Sequence, residues 1–399
     1  MSKKFFILFI TLSSLLLLIF NGTSSKDNFL DSKEVTQFDK ILNIINSMSL
    51  DEKIGQLVVS GFYGTSTDSS ITKLIKEDKI SGVILFGRNV LDAPTLQSLN
   101  KNLKEVNKSN KLPLFISVDE EGGLVSRMPK ELKKLPSNKY IGDLNSETIS
   151  YKVGEIIGEE LSYFGFNMDF APVLDINSNP NNPIIGDRAF SNIKDVVSNL
   201  GTSTMLGLTS KNIISVVKHF PGHGDTSVDS HVNLPLVNND INRLKSFEFI
   251  PFKNAIDKGC DAVMVSHIML PKIDNKYPAT MSSKIVTDIL RTDLNFKGLV
   301  VSDDMTMGAI AENYSLDDAS VQSINAGVDL LLICHNYENT KAVLLALKNA
   351  VLNGTITQER LNSALYNIIS IKNKYSLFEE KSPSYNIESI NEKIVNLFK

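Results

Sequence analysis

The chain has 399 residues, of which 42% are hydrophobic and 22% charged, with a formal net charge of −4. This is the composition of an ordinary globular protein, and it offers no concentrated basic face, so nucleic acid is excluded as a partner. A chain of this length can bury a core that needs neither disulfides nor a metal ion for stability.

Residues 1–25 have the layout of a secretory signal peptide. Lys3 and Lys4 precede an apolar stretch that runs to Phe20, and small polar residues follow, as a basic start, an apolar region and a cleavage site require. An uncleaved anchor is the less favoured alternative, because the stretch is slightly short for a membrane span. We therefore expect an exported protein, extracellular or attached to the cell surface, that touches a membrane only through this segment if it is uncleaved. Residues 26–40 are polar and predict a linker.

Residues 41–376 predict a single (β/α)8 barrel of the TIM type. Eight short apolar runs are rich in Val and Ile, as is typical of parallel strands covered on both faces. Segments with helical spacing, such as 147–164 and 243–258, lie between them. Eight strands are the number that closes such a barrel. The alternative, an open doubly wound sheet, is weakened because no glycine-rich dinucleotide motif follows an early run. The runs are residues 57–62, 82–86, 114–118, 168–174, 213–217, 262–266, 299–302 and 328–333.

The remaining features of the chain fit one domain. Residues 338–376 predict closing helices, and the tail at 377–399 is too short for a second domain. The only two cysteines are Cys260, just before one predicted strand, and Cys334, at the end of another. Those points lie at opposite faces of a parallel barrel, too far apart for a disulfide, so we expect two free thiols.

Polar residues collect where five successive predicted strands end. The carboxyl ends of the strands carry the active site in barrels of this kind. Charges would be costly in a core but suit a polar ligand such as a sugar. The residues are Asp119, Glu120, Glu121 and Arg127, then Asp175 and Arg188, then residues 218–231, then His267, and finally Asp303 and Asp304.

Two carboxylates in this set can be interpreted as parts of a glycosidase site. Asp303 is placed to attack an anomeric carbon, although an aspartate at a strand end can equally cap the next helix; Asp304 then serves structure. Asp229 can hold His231 in one tautomer and make it an acid/base group, but an Asp-x-His sequence in a loop is weak evidence alone.

The histidines and basic residues have alternative interpretations. His219, His223 and His231 could together bind zinc, but Pro221 breaks any helical spacing between the first two, which favours contacts to a sugar. Each basic residue could pair with an acidic neighbour rather than contact a ligand. These residues are Arg127, Arg188 and Lys218, and their possible partners are Asp119, Glu121 and Asp187.

Taken together, the motifs resemble those of the bacterial exo-β-N-acetylglucosaminidases of glycoside hydrolase family 3. The resemblance covers roughly residues 40–375. Its most specific element is the string at residues 218–225 followed by the Asp-Ser-His at 229–231. The Ser-Asp-Asp-Met at 302–305 and the segments at 119–127 and 188–190 complete it.

The resemblance implies a retaining hydrolase that removes terminal N-acetylglucosamine from cell-wall sugar chains and muropeptides, with no cofactor and no metal. It implies that Asp303 is the nucleophile and that His231 is the acid/base, with Asp229 as its partner. It also implies a set of sugar-binding residues, namely Asp119, Arg127, Arg188, Lys218 and His219. The chain departs from the family at Glu120, where Gln is common. We expect no second domain of the kind that larger relatives carry after the barrel.

Other functions remain open at this level. A β-glucosidase, a β-xylosidase or a phosphorylase of the same family would use a similar barrel. A sugar-binding wall protein without catalysis would retain the cavity, and a zinc-dependent hydrolase would retain the histidines.

Overall fold

The computed structural model of the chain describes residues 32–230, 233–379 and 385–399. The predicted signal peptide and His231 therefore lie outside the described residues. The described chain consists of two units that divide between residues 43 and 44. The first holds most of helix α1 (Ser32–Asn46), and this helix includes nine residues assigned above to the linker. The reason is an apolar spacing of three to four residues that already begins at Val35 and Phe38.

Eight parallel strands close in chain order into a barrel in which the last strand pairs with the first. The predicted fold class is confirmed, and each predicted apolar run overlaps one strand. Most side chains of these strands are fully buried, because helices cover the outer face and the barrel interior is packed. The strands are β1 (Val58–Gly61), β2 (Gly82–Leu85), β3 (Phe115–Val118), β4 (Met168–Asp169), β5 (Ile214–Phe220), β6 (Ala262–Val265), β7 (Leu299–Asp304) and β8 (Leu330–Ile333).

Helices occupy the connections and the outer layer. Between β1 and β5 they are α3 (Ser69–Lys76), α4 (Ala93–Asn107), α5 (Asn138–Leu144), α6 (Glu147–Phe164) and α7 (Lys194–Ser210), and α2 (Leu50–Gly55) precedes β1. After β5 they are α8 (Ile241–Ser246), α9 (Phe249–Asp257), the π-helix Lys284–Asp293, α10 (Gly308–Ala311), α11 (Leu316–Ala326), α12 (Tyr337–Leu352), α13 (Gln358–Lys374) and α14 (Ile387–Leu397). Short 3-10 turns lie at Gly87–Asn89, Gly186–Arg188 and Ala279–Met281.

Local sequence signals explain several helix ends. The Ser49 side chain and Glu52 form the capping box expected at the start of α2. Helix α6 has the predicted bounds, because Ser146 caps its first turn and Gly165 ends it with a φ of +83°. The predicted helix at 243–258 is instead two helices that break around residues 247–248. Pro251, which has no backbone N–H to donate, lies in the first turn of the second of them.

Two strands reach further toward the active-site end than the apolar runs predict. Strand β5 continues to Phe220 and β7 to Asp304, so that Lys218, His219 and Asp303 lie on strands rather than on loops. Polar residues end an apolar run in the sequence, but they do not end the backbone pairing. The prediction of free thiols is confirmed, since Cys260 and Cys334 are both unbridged and buried.

The tail forms a helix that holds a loop in place. The Asn391 side chain of α14 accepts a hydrogen bond from the backbone N–H of Lys133 at 2.7 Å and donates one to the carbonyl of Glu131 at 2.9 Å. Lys393 pairs with Glu159 of α6 at 2.5 Å. None of the helices within the described ranges is long and apolar enough to cross a membrane.

Candidate active site

A cavity of about 230 Å³ opens at the carboxyl ends of the strands. Six of the eight predicted site residues line it, which places residues from β5, β7 and the loops after β3 and β4 around one space. They are Asp119, Arg127, Arg188, Lys218, His219 and Asp303. Of the other two, Asp229 does not line the cavity and His231 lies outside the described residues.

An ion-pair network forms one wall of this active-site cavity. The Lys218 ammonium is 2.6 Å from an Asp119 carboxylate oxygen and 2.7 Å from a Glu121 oxygen. Arg188 donates two hydrogen bonds to the Glu121 carboxylate, at 2.8 and 2.9 Å. This is the bidentate geometry that guanidinium and carboxylate groups favour. The alternative interpretation of Lys218 and Arg188 as partners of acidic residues is therefore correct, and the same residues also line the cavity.

The network keeps Glu121 and Lys218 charged although both are buried. Burial would raise the pKa of Glu121, but Lys218 and Arg188 outweigh it and hold that pKa far below its usual range. Burial would lower the pKa of Lys218, but Asp119 and Glu121 outweigh it and the pKa is raised. Full charges in a space shielded from water bind polar ligand groups strongly. This wall can therefore hold the hydroxyl groups of a sugar.

Arg127 reaches the cavity without an ion pair among the residues that the structure describes. Its guanidinium makes a 3.4 Å contact with the Ser126 carbonyl. It is half-buried, and its remaining donors are available to a ligand.

Asp175 fixes the two histidines of the cavity. Its carboxylate lies 2.6 Å from Nδ1 of His219 and accepts the backbone N–H of His223 at 2.6 Å. Nε2 of His219 is 3.4 Å from an Arg188 nitrogen, which can only donate, so the proton of a neutral His219 belongs on Nδ1. Burial raises the pKa of Asp175, but His219 and His223 outweigh it and the pKa is lowered. His219 is thus held in one orientation with Nε2 toward the cavity.

His223 is part of the same wall but is bound by hydroxyl groups. Its ring nitrogens lie 2.8 Å from the Thr226 hydroxyl and 3.1 Å from the Ser230 hydroxyl. Burial lowers its pKa to about 4, so the ring is neutral at physiological pH. Within the described ranges, no three His, Cys, Asp or Glu side chains are arranged to hold a metal ion.

Asp303 is one of the carboxylates that line the cavity. One oxygen accepts the backbone N–H of Asp304 at 2.8 Å. Burial would raise the pKa of Asp303, but His267 and His219 outweigh it and the pKa is lowered. The carboxylate is therefore ionised at neutral pH, as a nucleophile has to be.

Asp304 is used differently from its neighbour. Its side chain accepts hydrogen bonds from the backbone N–H and hydroxyl of Thr306 at 2.9 and 2.7 Å and from the backbone N–H of Cys334 at 3.1 Å. These contacts join β7 to the end of β8. They give Asp304 the structural role that the sequence suggests for it.

The predicted acid/base segment is anchored on both sides of the residues outside the described ranges. Ser230 lines the cavity, and its carbonyl accepts the backbone N–H of Ala309 at 3.1 Å. The Asp229 carbonyl accepts the backbone N–H of Asn233 at 2.9 Å. The roles of Asp229 and His231 stay predictions.

At the level of sequence, Asp175 is given no role and Glu121 only an alternative one. Asp175 holds both His219 and His223. Glu121, named only as a possible partner of basic residues, pairs with both Lys218 and Arg188. The available signal was the type of residue: a carboxylate among Lys, Arg and His at a strand end is a partner for them.

The chain is similar in sequence to known proteins. Residues 49–371 match the protein family described as Glycosyl hydrolase family 3 N terminal domain. Beta-hexosaminidase A of Pseudoalteromonas piscicida is 35% identical over 334 residues, which are 78% of this chain and 56% of that protein. A beta-hexosaminidase of Methylobacillus flagellatus is 33% identical over 71% of this chain and 82% of its own length.

A solved structure shares the fold closely. A glycoside hydrolase family 3 beta-N-acetylglucosaminidase of a Paenibacillus species superposes with a TM-score of 0.85 at 37% identity. The match covers 88% of this chain and 68% of that one.

Proposed function

Because the chain belongs to glycosyl hydrolase family 3, we propose that it is an exo-β-N-acetylglucosaminidase that releases terminal β-linked N-acetylglucosamine from peptidoglycan fragments. The observation that carries the proposal is an ionised Asp303 that lines the same cavity as the ion-pair network. The names of the relatives, hexosaminidase and N-acetylglucosaminidase, support the choice of an amino sugar.

In the proposed reaction, Asp303 attacks the anomeric carbon and forms a covalent glycosyl intermediate, which water then hydrolyses with retention of configuration. The low pKa of Asp303 supports this role, since only the carboxylate is nucleophilic. His231 donates a proton to the leaving oxygen and later takes one from water, with Asp229 as its partner. The sequence motif and the position of Ser230 in the cavity wall support that assignment.

The proposed binding of one terminal sugar fits the size of the cavity. Sites for drug-sized ligands enclose roughly 300–1,000 Å³, whereas this cavity has about 230 Å³. One pyranose ring is the appropriate occupant, and a cavity of this kind favours action at chain ends. The hydroxyl and acetamide groups of the bound N-acetylglucosamine would contact the charged and polar side chains of the wall. These are Asp119, Arg127, Arg188, Lys218 and His219.

The cell-wall substrate and the exported location belong to the same proposal. Their support is the sequence of residues 1–25, with its basic start, apolar stretch and small residues. An exported enzyme of this specificity meets N-acetylglucosamine in cell-wall fragments.

The test is hydrolysis of 4-nitrophenyl β-N-acetylglucosaminide, compared with the β-glucoside and the β-xyloside, by the wild-type protein and by Asp303→Ala. We expect a strong preference for the N-acetyl substrate and its loss in the variant. Product analysis with and without phosphate separates the hydrolase from a phosphorylase, which would release a sugar phosphate. Activity that survives Asp303→Ala, or none on any of the three substrates, would remove the proposal.

A further inference from the structure

The segment at residues 119–128, here called the partition, separates the active-site cavity from a second cavity of about 180 Å³. Its side chains alternate between the two spaces on either side of a turn at residues 122–125, as successive residues of an extended chain do. Asp119, Glu121, Val125 and Arg127 face the active-site cavity, whereas Glu120, Ser126 and Met128 face the second one.

Glu120 connects the two arms of the partition by hydrogen bonds on the side of the second cavity. Its side chain accepts the backbone N–H of Arg127 at 2.7 Å, and its own backbone N–H donates to Asp169 at 2.9 Å. The Ser126 hydroxyl and the backbone N–H of Gly122 also bond to its carboxyl group. One side chain therefore holds both ends of the turn and the backbone of a predicted sugar-binding residue.

Two more carboxyl groups lie behind Glu120 and lack compensating partners. Glu160 of α6 lines the second cavity and is 2% exposed, and no described residue donates a hydrogen bond to its carboxyl group. Asp169 of β4 is fully buried, and its Oδ2 has no hydrogen-bond partner. An unpaired buried carboxylate is costly, so such groups bind protons instead.

The direction of each pKa agrees with this crowding. Burial raises the pKa of Glu120 to about 7, against an ordinary value of 4.5. Burial first, and then the charges of Glu120, Asp169 and Glu159, raise the pKa of Glu160 well above its usual range. Burial and Glu120 likewise raise that of Asp169, against the hydrogen bond from the Glu120 backbone.

The positive charges near this cluster leave the imbalance in place. The charge of Arg127 acts to lower the pKa of Glu120, but burial outweighs it. Lys218 attracts Asp169 but already pairs with Asp119 and Glu121. Glu159 is paired with Lys211 and Lys393. Three exposed lysines line the outer part of the second cavity, and they form no ion pair with Glu120 or Glu160 among the described residues. They are Lys130, Lys133 and Lys134.

We propose that Glu120 is a positioning residue for sugar binding, and that its uncharged carboxyl, packed with Glu160 and Asp169, keeps the partition closed against the active-site cavity. This inference rests on the proposed function. When Glu120 loses its proton, the partition moves outward to hydrate the charge. Arg127 and the Glu121 backbone move with it, and the sugar is held less tightly.

The sign of the pH effect follows from the two states of Glu120. In the closed partition its pKa is about 7, and in an open, hydrated partition it returns toward 4.5. The preference for the closed form is fully present below the lower value. It declines by up to about tenfold per pH unit as the pH rises toward the higher value. Sugar affinity should therefore fall from mildly acidic to mildly alkaline pH.

The test measures the dissociation constant of N-acetylglucosamine, a ligand that does not react, by calorimetry from about pH 5 to pH 8, the window set by the two pKa values. We expect the wild-type dissociation constant to rise by about tenfold or more across that window. Glu120→Gln, which keeps the shape and cannot lose a proton, should show a change smaller by at least about fivefold. Glu160→Gln, on α6, should leave the transition near its wild-type pH, because a protonated Glu160 places no charge beside Glu120.

Glu155→Gln provides the matched control on the same helix, since Glu155 pairs with Lys152 and Lys211 and lies away from the partition. It should keep the wild-type profile. A Glu120→Gln profile that equals that of the wild type would overturn the inference while leaving the proposed function intact. If the wild-type protein neither bound N-acetylglucosamine at any pH nor hydrolysed its 4-nitrophenyl glycoside, the proposed function itself would fail.

Discussion

Glu120 and Glu121 are adjacent in the chain, are 2% and 3% exposed, and face opposite sides of the partition. Burial acts on both. Glu121 pairs directly with two cations, Lys218 and Arg188, whereas Glu120 is opposed only by hydrogen bonds and by the charge of Arg127, and these do not outweigh its burial. The pKa of Glu121 falls far below its ordinary value, whereas that of Glu120 rises to about 7. The comparison teaches that burial alone does not determine the charge of a carboxyl group; the partners on its side of the wall do.

A substitution on the side of the partition where Glu121 pairs with Lys218 and Arg188 should cause the largest loss of stability. Glu121→Gln would leave Lys218 and Arg188 buried with half of their compensating charge. Removing one partner of a buried ion pair typically costs about 3–5 kcal/mol, and we expect a loss of that size in the free energy of unfolding by urea. Glu155→Gln, which removes a more exposed pair, should cost about 1 kcal/mol or less. Equal losses for the two variants would show that the network contributes no more than a surface pair.

On the side of Glu120, the stability of the protein should depend on pH in the opposite sense to that expected for an ordinary carboxylate. The raised pKa of Glu120 means that stability is fully present below 4.5 and is lost as the pH rises through about 7. Each pKa unit is worth about 1.4 kcal/mol. The free energy of unfolding of Glu120→Gln, relative to that of the wild type, should therefore rise by about 2–3 kcal/mol from pH 5 to pH 8. Urea unfolding at both pH values measures this gain. Parallel losses of stability in the two proteins would mean that Glu120 is not the group that titrates.

Asp175 is a further buried carboxylate of the active-site cavity wall, and it orients His219 and His223 by hydrogen bonds. In Asp175→Asn an amide N–H can face Nδ1 of His219 and reverse its tautomer, which turns an N–H toward Arg188. Changes to groups that orient a histidine commonly cost about 10–100-fold in activity, and we expect kcat/KM on the 4-nitrophenyl substrate to fall by that factor. Asp274→Asn is the control, because Asp274 is also buried but bonds to Ser282 in another loop. A similar loss in both variants would point to general destabilisation.

The sequence predicted the barrel because each strand left a continuous apolar run that local composition alone reveals. It also predicted six residues that meet in the cavity, because strand ends of a parallel barrel share one face. Two things were beyond it. The strand ends at β5 and β7 depend on backbone pairing with neighbours distant in sequence. The contrast between Glu120 and Glu121 depends on Lys218 and Arg188, which only the fold brings beside Glu121.

The smallest effect concerns the outer wall of the second cavity, where α14 holds the loop at residues 131–133. Asn391→Ala removes both side-chain hydrogen bonds to that loop, worth about 1 kcal/mol each at most for exposed groups, and should lower the melting temperature by about 2–4 °C. Asn396→Ala on the same helix, which loses a contact to Lys399, should leave the melting temperature unchanged.

The same two variants test whether the outer wall supports sugar binding. If Glu120 alone holds the partition, the KM of both variants should stay within about twofold of the wild-type value, because uncoupled sites change each other's free energies by less than about 0.5 kcal/mol. A clear rise of KM in Asn391→Ala alone would instead make the outer wall part of the support for sugar binding. The two sides of the partition would then depend on each other.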